Sequence, residues 1–207
     1  MQEGVIKFAQ DFTKRPAMFC DIESLLVWRR IFYGNGLIGQ KPQRYDGAAY
    51  GNLSQRIPPY NFPFNKRSFL ISGSQTSGLE VVTREHFSVV IEYYPDKNLV
   101  MAAGPVQPSS ETMTHGTLYD LDDSLRFVFH AHCPFIWQNS ENLCIPATNP
   151  WVEYGTVEMA KEVRRLFSET DVASRKIFSM RGHQDGVVSF GRTADEAGFA
   201  MLKYLPA

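Results

Sequence analysis

Apolar positions recur along this chain with two periods, one helical and one alternating. Ile22, Leu25, Leu26, Trp28 and Phe32 fall at near-helical spacing with Glu23, Arg29 and Arg30 between them. The stripe predicts an amphipathic helix over 22–33, stopped by Gly34-Asn35-Gly36. Val157, Met159, Ala160, Val163 and Leu166 repeat the pattern, with Lys161, Glu162, Arg164 and Arg165 outside, and predict a second helix over 156–167. Pro108-Ser109-Ser110-Glu111 opens a helix through Tyr119, and Thr193 caps a closing one through Leu202. Short β-prone runs predict strands at 69–71, 126–132, 176–180 and 187–190, with a hairpin of 88–94 and 98–103 around Pro95-Asp96-Lys97. Between these, 36–51 reads as a loop leading into a strand and 51–56 as a polar turn opening it. Three prolines make 57–67 an irregular connection, and 83–87 is a short helical turn. A short helix is expected over 135–138 and a short strand over 143–146. Helices and strands are interspersed without a repeat or a linker, so the expected fold is α/β, a sheet covered by helices in one domain over 1–207.

Within the 126–132 strand, His130 and His132 are spaced i, i+2 and share a face, while Phe127, Phe129 and Ala131 share the other. Paired imidazoles of this kind suit a divalent metal, and a catalytic site needs a third protein donor and an open position. The same spacing also suits two stacked polar residues near a strand end. His183 stands at a strand end in a Gly-flanked turn, from which it can reach a shared site; a lone histidine there is more often a polar surface residue. Glu111, just upstream at a helix start, is the natural acid/base candidate, and His115 lies four residues on along the same face. The loop 72–78, rich in Ser, Gly and Thr, can present N–H groups and hydroxyls to an anion or serve as a flexible turn.

Charge and cysteines narrow the function classes. A formal net charge of −1 over 207 residues leaves no broad basic surface for nucleic acid and no polybasic run for an anionic membrane. No apolar run reaches membrane-spanning length, and the first residues lack the apolar core of a signal peptide, so a cytoplasmic location is expected. Cys20, Cys133 and Cys144 are odd in number and lack CxxC spacing, which predicts free thiols.

Taken in order, several short segments form one set: Gly51-Asn52-Leu53-Ser54-Gln55-Arg56, the 72–78 loop, Pro108-Ser109-Ser110-Glu111 with His115, and His130-Ala131-His132-Cys133-Pro134. Ile145-Pro146-Ala147, Tyr154-Gly155-Thr156-Val157-Glu158, and His183 with Gly186 complete it. Over roughly residues 20 to 202 the chain resembles the class II aldolase/adducin family, in the branch of fuculose-phosphate aldolase and ribulose-phosphate 4-epimerase. The resemblance implies a three-layer α/β/α sandwich with a central, mostly antiparallel sheet. It implies Zn2+, or Mn2+, Co2+ or Ni2+, held by His130, His132 and His183, and Glu111 as the catalytic acid/base. It further implies that Asn52, Ser109 and Ser110, with Ser74 and Gln75 of the loop, bind the substrate phosphate. The implied activity is aldol/retro-aldol chemistry on a small sugar or sugar phosphate, in a homotetramer with sites at subunit interfaces. A 4-epimerase, a dehydratase of a sugar phosphate or a decarboxylase would use similar parts, and adducin-type relatives keep the fold as a non-catalytic binding module.

Three spellings differ from the family's pattern. Gln184-Asp185 separate His183 from its glycine, which makes Asp185 a competing ligand or a partner of one. The 72–78 loop is longer than the usual one. The family's tyrosine after Ile145-Pro146-Ala147, donated by a neighbouring subunit, is replaced by Thr148-Asn149-Pro150-Trp151, and Tyr154 is the next tyrosine.

Overall fold

The computed structural model describes residues 3–206. In chain order the strands are β1 (Ala9–Lys14), β2 (Gly39–Gln40), β3 (Ala49–Tyr50), β4 (Asn52–Arg56), β5 (Phe69–Ser72), β6 (Phe87–Tyr94), β7 (Leu99–Gly104), β8 (Phe127–His132), β9 (Ile177–Ser179) and β10 (Gly186–Gly191). The helices are α1 (Glu23–Gly34), α2 (Thr112–Leu121), α3 (Pro134–Gln138), α4 (Val157–Glu169), α5 (Val172–Arg175) and α6 (Ala194–Leu202). Eight strands form one sheet in the order β1-β7-β6-β5-β4-β8-β10-β9, and β2 pairs with β3 apart from it. Every neighbouring pair in the large sheet is antiparallel except β1 with β7.

Strand alternation sends successive side chains to opposite faces, and here both faces are covered. Phe69, Ile71, Val90, Val128, Val188 and Phe178 pack on one side with Met113 and Leu118 of α2 and Met159, Val163 and Leu166 of α4. On the other side Leu53, Leu70, Phe129, Ala131 and Val187 meet Leu25, Trp28 and Phe32 of α1 and Ala197 and Met201 of α6. The result is the expected three-layer α/β/α arrangement around a mostly antiparallel sheet. Each fully buried Leu, Val or Phe in these layers contributes about 1.5–3 kcal/mol of burial free energy, so the two cores hold the sheet between its helices.

Local chemistry sets the helix starts where the sequence places them. Thr156 Oγ1 accepts from Met159 N at 3.2 Å, and Thr193 Oγ1 accepts from Glu196 N at 3.1 Å. Such caps contribute about 1 kcal/mol each. The prolines at 57–67 stay irregular, and the loop 36–51 contains the two-residue strands β2 and β3 and a single three-residue helical turn, Tyr45–Gly47. The strand expected at 143–146 does not form. Residues 141–144 make turns, Cys144 takes φ 53°, and only Ala147 bridges to Ser179. The left-handed backbone at Cys144 breaks the extended run before it can pair. Strand β1 and helix α5 lie where no element was expected. All three cysteines are free. No described helix is long and apolar enough to cross a membrane.

Candidate metal centre and active site

Strand β8 lies between β4 and β10, and its register decides what meets what. His130 is opposite Asn52 on one side and Val188 on the other, and His132 is opposite Gly186. His130 and His132 share the face of Val128, so they emerge beneath α2 and α4 rather than toward α1. The turn joining β9 to β10 returns the chain to the same strand end. Met180 N donates to Gly186 O, His183 N to Met180 O, and Gly186 N to His183 O, at 2.8–2.9 Å. A methyl group at Gly186 would stand 3.1 Å from His183 Cγ, so the glycine leaves space for the ring. His183 is thereby delivered to the pair, and one donor atom from each of the three residues lies within 4.8 Å of the others. The ring centroids are 5.0 Å (His130–His132), 5.1 Å (His130–His183) and 4.8 Å (His132–His183) apart.

The polar atoms here fit a cation. His130 Nε2, both ring nitrogens of His132, His183 Nδ1 and Glu111 Oε1 are buried without a hydrogen-bond partner. Unpaired buried polar atoms are costly, and a cluster of imidazole nitrogens with a carboxylate oxygen is the donor set of a divalent metal of the zinc type. Burial holds His130 and His132 well below the usual histidine range, which leaves them neutral as metal donors must be. His130 Nδ1 faces Val187 O at 3.2 Å, an outer contact that fixes its ring. For His183, burial pulls the pKa down, but the Glu3 and Glu111 carboxylates outweigh it and the value is raised.

Glu111 stands at the start of α2, and its carboxylate is buried. Oε2 accepts from Thr114 Oγ1 at 3.0 Å, and Oε1 is 3.4 Å from His183 Nδ1. Burial raises its pKa to about 7, with His183 opposing and Glu3 reinforcing the shift. A carboxyl group poised near neutrality can both take and return a proton. His115, one turn on, faces elsewhere: its Nδ1 is 2.7 Å from Ser54 Oγ, which is 2.7 Å from Tyr119 OH. Burial alone lowers its pKa to about 3.

The other expected residues converge as well. Ser109 N donates to Ser72 O at 3.2 Å and Ser74 N to Gln107 O at 2.8 Å, which ties the 72–78 loop to the start of α2. One polar cavity is lined by Asn52, Ser74, Gln75, Ser109 and Ser110, together with Gly51, Ser77, Glu3 and Gly4. Asn52 Oδ1 is buried without a partner. Gln75 is partly engaged, since its Oε1 accepts from Ala49 N at 3.0 Å.

Asp185, expected as a competing ligand or a partner of one, is not among the three grouped donors. Its carboxylate accepts from Tyr45 OH at 2.6 Å and lies 3.6 Å from Arg44 Nη2, outside the histidine group. It is linked to the site through Tyr45, whose ring lies edge-on to His132 at 4.7 Å. Tyr154, the next tyrosine after the segment that replaces the family's, stacks on His183 of its own chain at 4.3 Å. Sequence reasoning missed Tyr45, Arg44 and Glu3. Tyr45 sits at φ 52° in a three-residue turn, and no spacing in the sequence marks it.

Solved structures share this fold at low identity. YgbL from Klebsiella pneumoniae, a presumed aldolase/epimerase/decarboxylase, is 17% identical, with TM-score 0.60 over 87% of this chain and 83% of that one. L-fuculose-1-phosphate aldolase from Thermus thermophilus is 20% identical, with TM-score 0.59 over 87% of both chains. The N-terminal class II aldolase domain of a conserved protein from Thermoplasma acidophilum is 16% identical, with TM-score 0.59 over 92% of both. No curated protein matches the sequence. The family of class II aldolase and adducin N-terminal domains matches residues 41–204, a span that holds the three histidines, Glu111 and the polar loops, and the chain belongs to that family.

Proposed function

We propose that this protein is a metal-dependent lyase performing aldol or retro-aldol chemistry on a small sugar or sugar phosphate. The observation that carries the reading is the buried convergence of His130, His132 and His183 with Glu111 Oε1 3.4 Å from His183. His130, His132 and His183 would hold the ion, zinc by their donor chemistry or another divalent metal. When bound there, it supplies Lewis-acid polarisation of a carbonyl and charge stabilisation for the enediolate that carbon–carbon cleavage leaves. Glu111 moves the proton at the reacting carbon, and its burial excludes water from that transfer. Asn52, Ser109 and Ser110, with Ser74 and Gln75, orient the polar or phosphorylated end of the substrate in the adjoining cavity. A homotetramer in the cytoplasm completes the proposal. Trp151, 88% exposed in the segment after Ala147, is an apolar side chain suited to a subunit contact.

Two measurements test the reading. Elemental analysis of purified protein should give one divalent metal per chain, and His132→Ala should lose most of it, because two histidines leave too few donors. Full retention in the variant would remove His132 from the site, and a metal-free wild type would favour the binding-module alternative. The second is an activity panel of aldehydes with dihydroxyacetone phosphate or glycolaldehyde as donor. Carbon–carbon bond formation should appear, vanish on chelation and return with added divalent metal. Fuculose- and rhamnulose-type phosphates should be turned over poorly, since Thr148-Asn149-Pro150-Trp151 stands where the family places its tyrosine. Epimerisation without any cleavage product would reassign the reaction while keeping the site.

A further inference from the structure

The segment 3–8, which precedes β1, supplies one wall of the polar cavity through Glu3 and Gly4. It is fastened along its length. Phe8 is buried in the core, and Asn98 Nδ2 donates to Lys7 O at 2.9 Å. Lys7 Nζ is 2.7 Å from Glu153 Oε2, and Val5 N donates to Tyr154 OH at 3.1 Å. Gly4, at φ +72°, passes so close to Gln75 that a Cβ there would collide with Nε2. Glu3 itself stands outside the group of three histidine donors. Its Oε2 accepts from His183 Nε2 at 2.7 Å, on the far side of that ring from the unpaired Nδ1. Its Oε1 makes no hydrogen bond among the described residues, and the side chain lines the cavity with Asn52, Ser74, Ser109 and Ser110.

Charge and donor supply decide what this cavity can hold. Among the described residues that line it there is no lysine or arginine, and the charged one is Glu3. Its amides are largely spent inside the protein: Gly73 N donates to His86 O, Ser74 N to Gln107 O and Ser109 N to Ser72 O, at 2.8–3.2 Å. Gln75 Oε1 accepts from Ala49 N, and Ser77 Oγ donates to Gly51 O. A phosphate dianion brings acceptors only and asks for a cation or a nest of free N–H groups. Beside a carboxylate in a partly buried cavity it meets a like charge with little water to screen it. A hydroxyl is the reverse case, able to donate to Glu3 Oε1 and to accept from a serine hydroxyl or the Asn52 amide. We infer that Glu3 determines specificity: it commits the cavity to an uncharged, hydroxylated substrate end, that of an unphosphorylated sugar or polyol, and turns a phosphate away. This rests on the metal-dependent lyase reading above and names its substrate class. Because the segment is fastened at Val5, Lys7 and Phe8, the carboxylate stays in the wall as substrate enters.

The test uses the zinc-loaded full chain as wild type, Glu3→Gln and Glu3→Ala. Dihydroxyacetone and dihydroxyacetone phosphate present the same carbonyl and neighbouring hydroxyl to the centre, so their ratio reports only the other end. Binding of each is measured by isothermal titration without an acceptor aldehyde, and kcat/KM of each with one common aldehyde. Wild type should favour dihydroxyacetone in both measurements. Glu3→Gln keeps an oxygen for His183 and removes the charge. It should move both ratios toward the phosphate by about ten- to a hundred-fold, the scale of one charge repulsion across a partly buried gap. Glu3→Ala should move them in the same direction, with zinc content unchanged in both variants. A wild type that favours the phosphate, or ratios that neither substitution moves, would overturn the inference and leave the lyase reading standing. Loss of zinc from both variants would make Glu3 a support for His183 instead and overturn it as well. A zinc-loaded wild type that neither binds nor turns over either ketone would overturn both the inference and the reading beneath it.

Discussion

Glu111→Gln is expected to lower turnover about 10²–10⁴-fold, the usual contribution of general acid–base catalysis, while the protein keeps its metal. The substitution preserves side-chain volume and the contact with Thr114 Oγ1, so α2 should start as before. It removes the one group in the centre whose pKa burial has pushed up to about 7. The three histidines are untouched, and metal content separates this effect from loss of the site. The readout is kcat on whichever substrate the activity panel identifies, with metal measured on the same sample. Unchanged turnover would move proton transfer to another group. His115 is poorly placed to inherit it, because it is held neutral and turned toward Ser54 and Tyr119. Tyr154, stacked on His183, would be the next residue to replace.

Much of this centre was legible in sequence because strand alternation is a hard constraint. Phe129 and Ala131 must enter the α1/α6 core, so His130 and His132 have to face the opposite layer. Thr156 and Thr193 were legible as caps, because a hydroxyl before an apolar stripe satisfies an otherwise unpaired helix N–H. Strand β1 was not. It pairs in parallel with β7, some ninety residues away in sequence, and its Ala9-Gln10-Asp11-Phe12-Thr13-Lys14 has only Phe12 as a large apolar anchor. At 143–146 the apolar run was misleading. Ile145 is buried, but just past a turn rather than in a ladder. Glu3, Tyr45 and Tyr154 reach the centre only through tertiary paths, and no local period carries such information. Tyr154 shows the difficulty well: the sequence marks it only as the next tyrosine after Ile145-Pro146-Ala147, and the fold stacks it on its own His183.

Steep acid unfolding of the metal-free protein is the other large effect expected. Burial lowers His115 to about 3 and holds His130 and His132 well below the usual range. Once unfolded, each regains a value near 6.5 and takes up a proton as pH falls below it. A depressed histidine pKa therefore contributes stability that is present above about 6.5 and lost below it. Glu111 works in the opposite sense. Its raised pKa means the folded state holds a proton between about 4.5 and 7 that the unfolded chain has released, so it adds stability as pH falls through that window. His183, raised in the fold, carries its proton in both states below about 6.5 and adds little slope there. From pH 6 to 5 the unfolded state thus binds about two more protons than the folded one, which corresponds to a loss of about 3 kcal/mol per pH unit. Against the 5–15 kcal/mol typical of a folded domain, that is a large fraction of the whole. Urea unfolding of chelator-treated protein at pH 7, 6 and 5 measures it, and His115→Gln should remove about one proton from the slope without touching the metal centre. A free energy that stays level from pH 6 to 5, or a slope that His115→Gln leaves unchanged, would show that the buried imidazoles are already charged in the fold.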